Sequence, residues 1–206
     1  QKSENLNLEP KAETKIKIEL PEKCKLGAFV TNLGKFNEGD IVGEWINFPI
    51  KQEEFQKVLE KIGINENYEE YFFSDYDTNL GGLSDMLGEY TNVDELNYLA
   101  VRMRDLDSYD YEKFYAIVED EMDLPQTGVP GLINLTFNMD KYDLNTNVFD
   151  EEDYGRYIIE ESGEFDRWKL VDILDYIDFE ALGRDRSINE AGCFTERGYV
   201  VDNQQH

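Results

Sequence analysis

Carboxylates are the one chemically competent group that this sequence carries in excess. It has 46 Asp and Glu against 20 Lys and Arg, and a single histidine, His206, the last residue. With one imidazole there is no Ser-His-Asp arrangement, no HExxH zinc helix and no histidine shuttle near neutral pH. The patterns GxxxxGK[ST], GxGxxG after a strand and GxSxG are absent from the chain. Paired carboxylates could hydrolyse glycosides, but among 46 acids such neighbours arise by chance. Calcium is tested by spacing. Asp75-x-Asp77-x-Asn79 opens like an EF-hand loop, yet Leu80 stands where glycine belongs and Met86 where the bidentate Glu belongs. Asp143-x-Asn145-x-Asn147 fails the same way at Val148 and Tyr154. The sequence predicts no catalytic residue, no metal site and no cofactor.

The acids must then act collectively. They are densest between Phe149 and Gly183, where Asp150, Glu151, Glu152, Asp153, Glu160, Glu161, Glu164, Asp166, Asp172, Asp175, Asp178 and Glu180 face only Arg156, Arg167 and Lys169, a net charge of −9. Tyr154, Tyr157, Ile158, Trp168, Val171, Leu174, Tyr176, Ile177 and Phe179 interleave with them, an apolar content that disordered acidic tails lack. The reading is a folded surface made very negative. Further candidates are Glu69, Glu70, Asp75 and Asp77, then Asp105, Asp107, Asp110 and Glu112, then Glu119, Asp120, Glu121 and Asp123. The last four crowd the negative end of a predicted helix, at a cost of a few tenths of a kcal/mol each, on the order of other helix-end charges. Local rules broken without visible compensation point to function.

Residues 1–25 read as a flexible N-terminal extension with net charge +1, two prolines and one expected strand, Thr14–Leu20. A unit at 26–91 follows, with strands at Leu26–Asn32, Ile41–Phe48 and Tyr68–Tyr76, and a Gly- and Asn-rich connection at Leu33–Asp40. Its helix, Lys51–Ile62, has Phe55, Val58, Leu59 and Ile62 on one face and ends at Gly63. A helical unit at 92–138 starts at a Thr91 or Asn92 cap and runs to about Leu106, burying Val93, Leu96, Leu99, Met103 and Leu106. Its second helix, Tyr109–Met122, buries Tyr111, Phe114, Tyr115, Val118 and Met122. Pro125, Gly128, Pro130 and Gly131 mark a connection, and Leu132–Phe137 is a short helix or strand. In the third unit, 139–206, a strand is expected at Asp143–Phe149, helices at Asp150–Ser162 and Arg167–Tyr176, and a hairpin at Cys193–Val201 around Glu196-Arg197-Gly198. The fold class is α+β. The three units carry −9, −7 and −11, so the charge is spread along the whole chain.

Other signals bound the setting. Cys24 and Cys193 lack CxxC spacing, which suits a reducing compartment, the cytoplasm. No apolar run of about 18 residues exists to span a membrane, and the N-terminus lacks the apolar segment of a secretory signal. Leu124-Pro125-Gln126-Thr127-Gly128 spells a sortase-type signal, but 78 largely polar residues follow it, so it reads as a turn.

A folded polyanion has a physically attractive use. Proteins that grip DNA line a groove with Lys and Arg, and phosphate contacts supply most of that grip. B-DNA presents a charge per ~1.7 Å of axis. Carboxylates three or four apart on a helix repeat every ~4.5–6 Å, so several acidic elements side by side approach that density. Such a chain would take the groove of a DNA-binding protein without binding nucleic acid itself.

The residues also carry a resemblance. Ala28–Pro49 (AFVTNLGKFNEGDIVGEWINFP) closely resembles the opening of the ArdA antirestriction family, with its NLGKYNEG-like turn and G-x-W-x-x-FP strand. The likeness continues through Lys61–Asp77, Glu89–Leu99, Glu151–Phe165 and Tyr176–Asp185. Residues 1–25 lie outside it. It implies an elongated, curved chain of three small domains (α/β, mainly helical, α/β), dimerised through the C-terminal one. It also implies an inhibitor, encoded on mobile elements, that mimics bent B-DNA. Its partner would be a type I restriction-modification enzyme, gripped at the methyltransferase and specificity core, and incoming DNA would be protected. The Asn32, Gly34, Asn37 and Gly39 turn is read as structural. Two alternatives stay open: a DNA mimic aimed at another machine such as a CRISPR effector, and an acidic protein-interaction or cation-binding domain unrelated to DNA.

Overall fold

In the computed structural model, residues 25–119 and 127–203 are described; His206, Met122 and the predicted strand at Thr14–Leu20 lie outside them. The first sheet is built around β1 (Leu26–Asn32), in which every residue but Phe29 is buried. Its apolar run suits a central strand, and the order is β2-β1-β3 with both neighbours antiparallel. Between β1 and β2 (Gly43–Asn47) the predicted connection is instead a short helix, α1 (Leu33–Asn37). Asn32 caps it, its side chain accepting from the Lys35 backbone N–H at 3.0 Å. Its amide also donates to the Ile62 carbonyl, so the turn residues do local structural work. The predicted helix is α2 (Gln52–Lys61), with Phe55 and the following Ile62 buried, Val58 and Leu59 half-buried. Gly63, at φ +82°, turns the chain out of it. β3 (Tyr71–Thr78) completes the sheet.

Asn92 caps α3 (Val93–Asp105) by accepting from the Asp94 N–H at 2.7 Å. Leu96, Leu99, Ala100 and Met103 are its buried stripe. α4 (Ser108–Glu119) buries Phe114, Ala116, Ile117 and Val118, while Tyr115 is only half-buried. It also buries a cation the apolar pattern did not show: the Lys113 ammonium donates to the carbonyls of Met139 and Tyr142 and pairs with Asp110 at 3.0 Å. Of the expected Pro- and Gly-marked connection, Pro125 lies outside the described residues, and Gly128–Gly131 instead open a helix, α5 (Gly128–Thr136), that continues into the short helix or strand expected at Leu132–Phe137. Pro130 sits in its first turn, where the missing N–H costs no helical bond, and Val129, Leu132 and Leu135 are buried.

The last part holds a second sheet, order β4-β6-β5, from β4 (Tyr142–Asn145), β5 (Cys193–Thr195) and β6 (Gly198–Asp202). The predicted hairpin is thus present. α6 (Glu151–Glu160) follows β4. The predicted helix Arg167–Tyr176 is not continuous: α7 (Arg167–Leu170) is a single turn, and a separate 3-10 turn covers Leu174–Tyr176. Neither turn buries a residue, and without a covered stripe a short helix does not propagate. α8 (Phe179–Glu190), which the apolar pattern does not announce, buries only Gly183 and Ser187.

One apolar cluster runs from β1 and β2 through α3, α4 and α5 to Tyr142, Leu144 and Val200. A smaller one joins Val148, Tyr154, Ile158 and Tyr199. α6 and α8 approach most closely at glycines, with Leu182 packed against the cluster beside them. A Cβ on Gly155 would stand 1.9 Å from the Phe179 carbonyl oxygen, and one on Gly183 would stand 1.8 Å from that of Glu151. Gly155→Ala or Gly183→Ala would gain about 1 kcal/mol of helix propensity, but overlap with backbone cannot be relieved by rotating a side chain. We expect each variant to lose on the order of 2 kcal/mol net, read as a lower melting temperature; an unchanged or raised melt would refute the close crossing.

Candidate functional site: an acidic surface

The crossing of α6 and α8 sets the positions of the densest acids. Asp150 caps α6 by accepting from the Asp153 N–H at 2.9 Å, and Asp153 accepts in turn from the Phe149 N–H at 3.2 Å. Glu151 and Glu152 complete that first turn. Negative charge is favoured at a helix N-terminus, so four successive acids are tolerated there. Asp178 caps α8 through the Ala181 N–H at 3.0 Å, with Glu180 in the first turn. Glu152, Asp175, Asp178 and Glu180 then line one open cleft of about 400 Å³. Arg156 stands in it, paired with Glu152 at 2.7 Å and lying 4.5 Å over the Phe179 ring.

Of the candidate acids, Asp120, Glu121 and Asp123 lie outside the described residues. None of the others is buried. Asp77, Asp110, Glu112, Glu119, Glu151, Asp153 and Glu160 are half-exposed and the rest exposed. Some are engaged: Asp77 with Lys25, Asp105 with Arg104, Glu160 with Arg167, Glu164 with Arg186 and Asp166 with Lys169. Asp107 accepts from the Asp110 N–H, and Asp75 from the Tyr76 N–H. Surface pairs of this kind hold by about 0–1 kcal/mol, so a partner's cations can exchange for them. Among the described residues, no cation stands within ion-pair distance of Glu69, Glu70, Glu151, Glu161, Asp172, Asp175 or Glu180. No group of three or more Asp, Glu, His or Cys among the described residues is placed to hold a metal. Asp75 and Asp77 lie on strand β3, not in a loop. The negative end of α4 has a partner: Arg197 lies 3.4 Å over the Tyr115 ring, pairs with Glu112 and reaches Glu119 at 4.0 Å.

A protein-family model described as antirestriction protein (ArdA) matches residues 28–201. The chain belongs to the ArdA family. No match to a curated protein sequence accompanies it. ArdA membership supports an antirestriction function, and the family is one of antirestriction inhibitors, not a known enzyme family. No helix among the described residues is long and apolar enough to cross a membrane.

Two acids were missed from the sequence. Glu66 joins Glu69 and Glu70 around a cleft of about 280 Å³ beside α1. Glu190, near the end of α8, accepts from the Tyr154 hydroxyl and pairs with Arg186 at 3.3 Å; the Tyr199 hydroxyl lies 3.5 Å away. Only the fold brings Tyr154 and Tyr199 to it, and no spacing announces that. Burial, followed by Glu190, pushes the hydroxyl pKa of Tyr154 and Tyr199 well up, and burial raises Tyr76 to about 12. The unfolded value is about 10. A raised folded pKa means that the fold favours the protonated form, so this stability is complete below about pH 10 and is lost as pH climbs through the folded values. The melting temperature should fall above about pH 10, and less steeply in a Tyr154→Phe/Tyr199→Phe variant. An equal slope in the two proteins would contradict the assignment.

Proposed function

We propose that the acidic surface imitates the phosphates of bent B-DNA, and that this chain occupies the DNA groove of a type I restriction-modification enzyme at its methyltransferase and specificity core. The observation that carries the reading is the cleft where α6 and α8 cross. The N-termini of α6 and α8, with the 3-10 turn ahead of α8, place Glu152, Asp175, Asp178 and Glu180 around one concavity, and most of the other acids among the described residues stand exposed. A groove that binds phosphate recognises charge at the right density, and little base information is needed for that grip. A carboxylate surface offers that charge without a base to read or a phosphodiester to cut. On this reading residues 26–91, 92–138 and 139–206 act as successive acidic modules along the groove, in an elongated and curved arrangement. The protein works as a homodimer joined through 139–206. Trp168 and Tyr176, 82% and 87% exposed, support a contact between copies there.

The acids act as a set. In cells carrying a type I enzyme, single Glu→Gln variants in the cleft should protect unmodified plasmid DNA nearly as well as the parent. The combined Glu151→Gln/Glu152→Gln/Asp175→Asn/Glu180→Gln variant, which spares the caps Asp150 and Asp178, should lose at least about ten-fold in protection, several phosphate-like contacts being removed at once. Complete loss from any one of these substitutions would instead indicate a discrete catalytic or metal site.

A further inference from the structure

The outer face of the first sheet carries aromatic rings that phosphate imitation alone does not use. Phe29 pairs with Trp45 on one side and with Asp75 on the other, so these three side chains form one row on one face. Trp45 is half exposed, and its ring packs on Phe29 with centroids 5.3 Å apart and planes at 53°. Asp75 is exposed. Asp77, two residues along β3 and therefore on the same face, already receives a cation, the Lys25 ammonium at 2.5 Å. The two outer strands lie about 10 Å apart, twice the strand spacing, and the inclined rings fill part of that width.

We infer that this face is a guanidinium site: an arginine of the partner enzyme lays its planar head on the Trp45 indole and donates to the Asp75 carboxylate. The inference rests on the DNA-groove reading, because a phosphate-gripping groove supplies arginines. Charge complementarity selects a cation: Asp75 and Asp77 lie on this face, and residues 26–91 carry −9 in total. The ring selects which cation. A guanidinium is weakly hydrated, flat and forked, so it can stack and still bond a carboxylate, whereas a lysine ammonium is compact and strongly hydrated. Trp and Arg are also the residues enriched where binding energy concentrates. The acids would then give attraction and this row would give discrimination.

The test needs no restriction enzyme, so its failure is separate from failure of the groove reading, which the plasmid-protection assay judges. A Trp168→Phe variant leaves Trp45 as the only tryptophan. Its emission is followed while oligo-arginine and oligo-lysine peptides of equal length are added at fixed ionic strength. The expected result is a response to oligo-arginine at several-fold lower concentration than to oligo-lysine. With labelled peptides, Trp45→Ala should weaken oligo-arginine binding by about 3- to 30-fold and abolish the preference, while the protein stays folded with a melting temperature lowered only by the loss of one cross-strand aromatic pair. Asp75→Asn should weaken both peptides while the preference survives. Equal response to the two peptides, or a preference that survives in Trp45→Ala, would overturn the inference.

Discussion

Where α6 and α8 cross, two backbones touch. Gly155 and Gly183 leave no Cβ between the helices, and each faces a carbonyl oxygen of the other helix or its cap-proximal turn. Everything distinctive about the acidic cleft depends on that contact. A larger residue at either place would separate the N-terminal turns that carry Glu151, Glu152 and Glu180, and would shift Asp175 and Asp178 from the same concavity. The close approach also lets Tyr154 reach Glu190 at the other end of α8. Glycine thus serves here as a packing residue, and the acids are positioned by the absence of a side chain.

A chain with net charge −26 must hold itself together against its own field. It does so by placing acids where backbone dipoles welcome them, as at Asp150, Asn92-capped α3 with Asp94 and Glu95, and Asp178. It also uses a few cations as joints. Lys113 ties α4 to the start of the second sheet through two carbonyls and Asp110, and Arg197 ties the β5–β6 turn back to α4. Arg102 lies over Phe137 and donates to the Thr136 carbonyl, locking α3 to the end of α5. These few basic side chains are spent inward, and the carboxylates are left facing out.

Much of this was legible in the sequence. The strands around Ala28, Ile46 and Phe73, a helix cap at Thr91 or Asn92 and the Glu196-Arg197-Gly198 hairpin follow from β-rich apolar runs, capping and turn chemistry, which are local. The failures have physical reasons. Pro130 and Gly131 look like a break, yet proline is harmless in a first turn. Arg167–Tyr176 has helical spacing but nothing to cover its apolar face, so it stays as two turns. α8 has no periodic apolar stripe because its buried residues are Gly183 and Ser187, and periodicity detects large apolar residues, not small ones. The acidic candidates were legible as composition and as helix N-termini, whereas their meeting in one cleft was not, since it depends on a crossing between segments about 30 residues apart.

Competition for a phosphate-binding groove is tested by titrating this protein into a complex of a type I methyltransferase core with a labelled DNA duplex, across a series of monovalent salt concentrations. The expected result is stoichiometric displacement of the duplex, with the logarithm of the protein's affinity falling steeply and linearly with the logarithm of salt. A ternary complex that keeps its duplex, or displacement indifferent to salt, would contradict it.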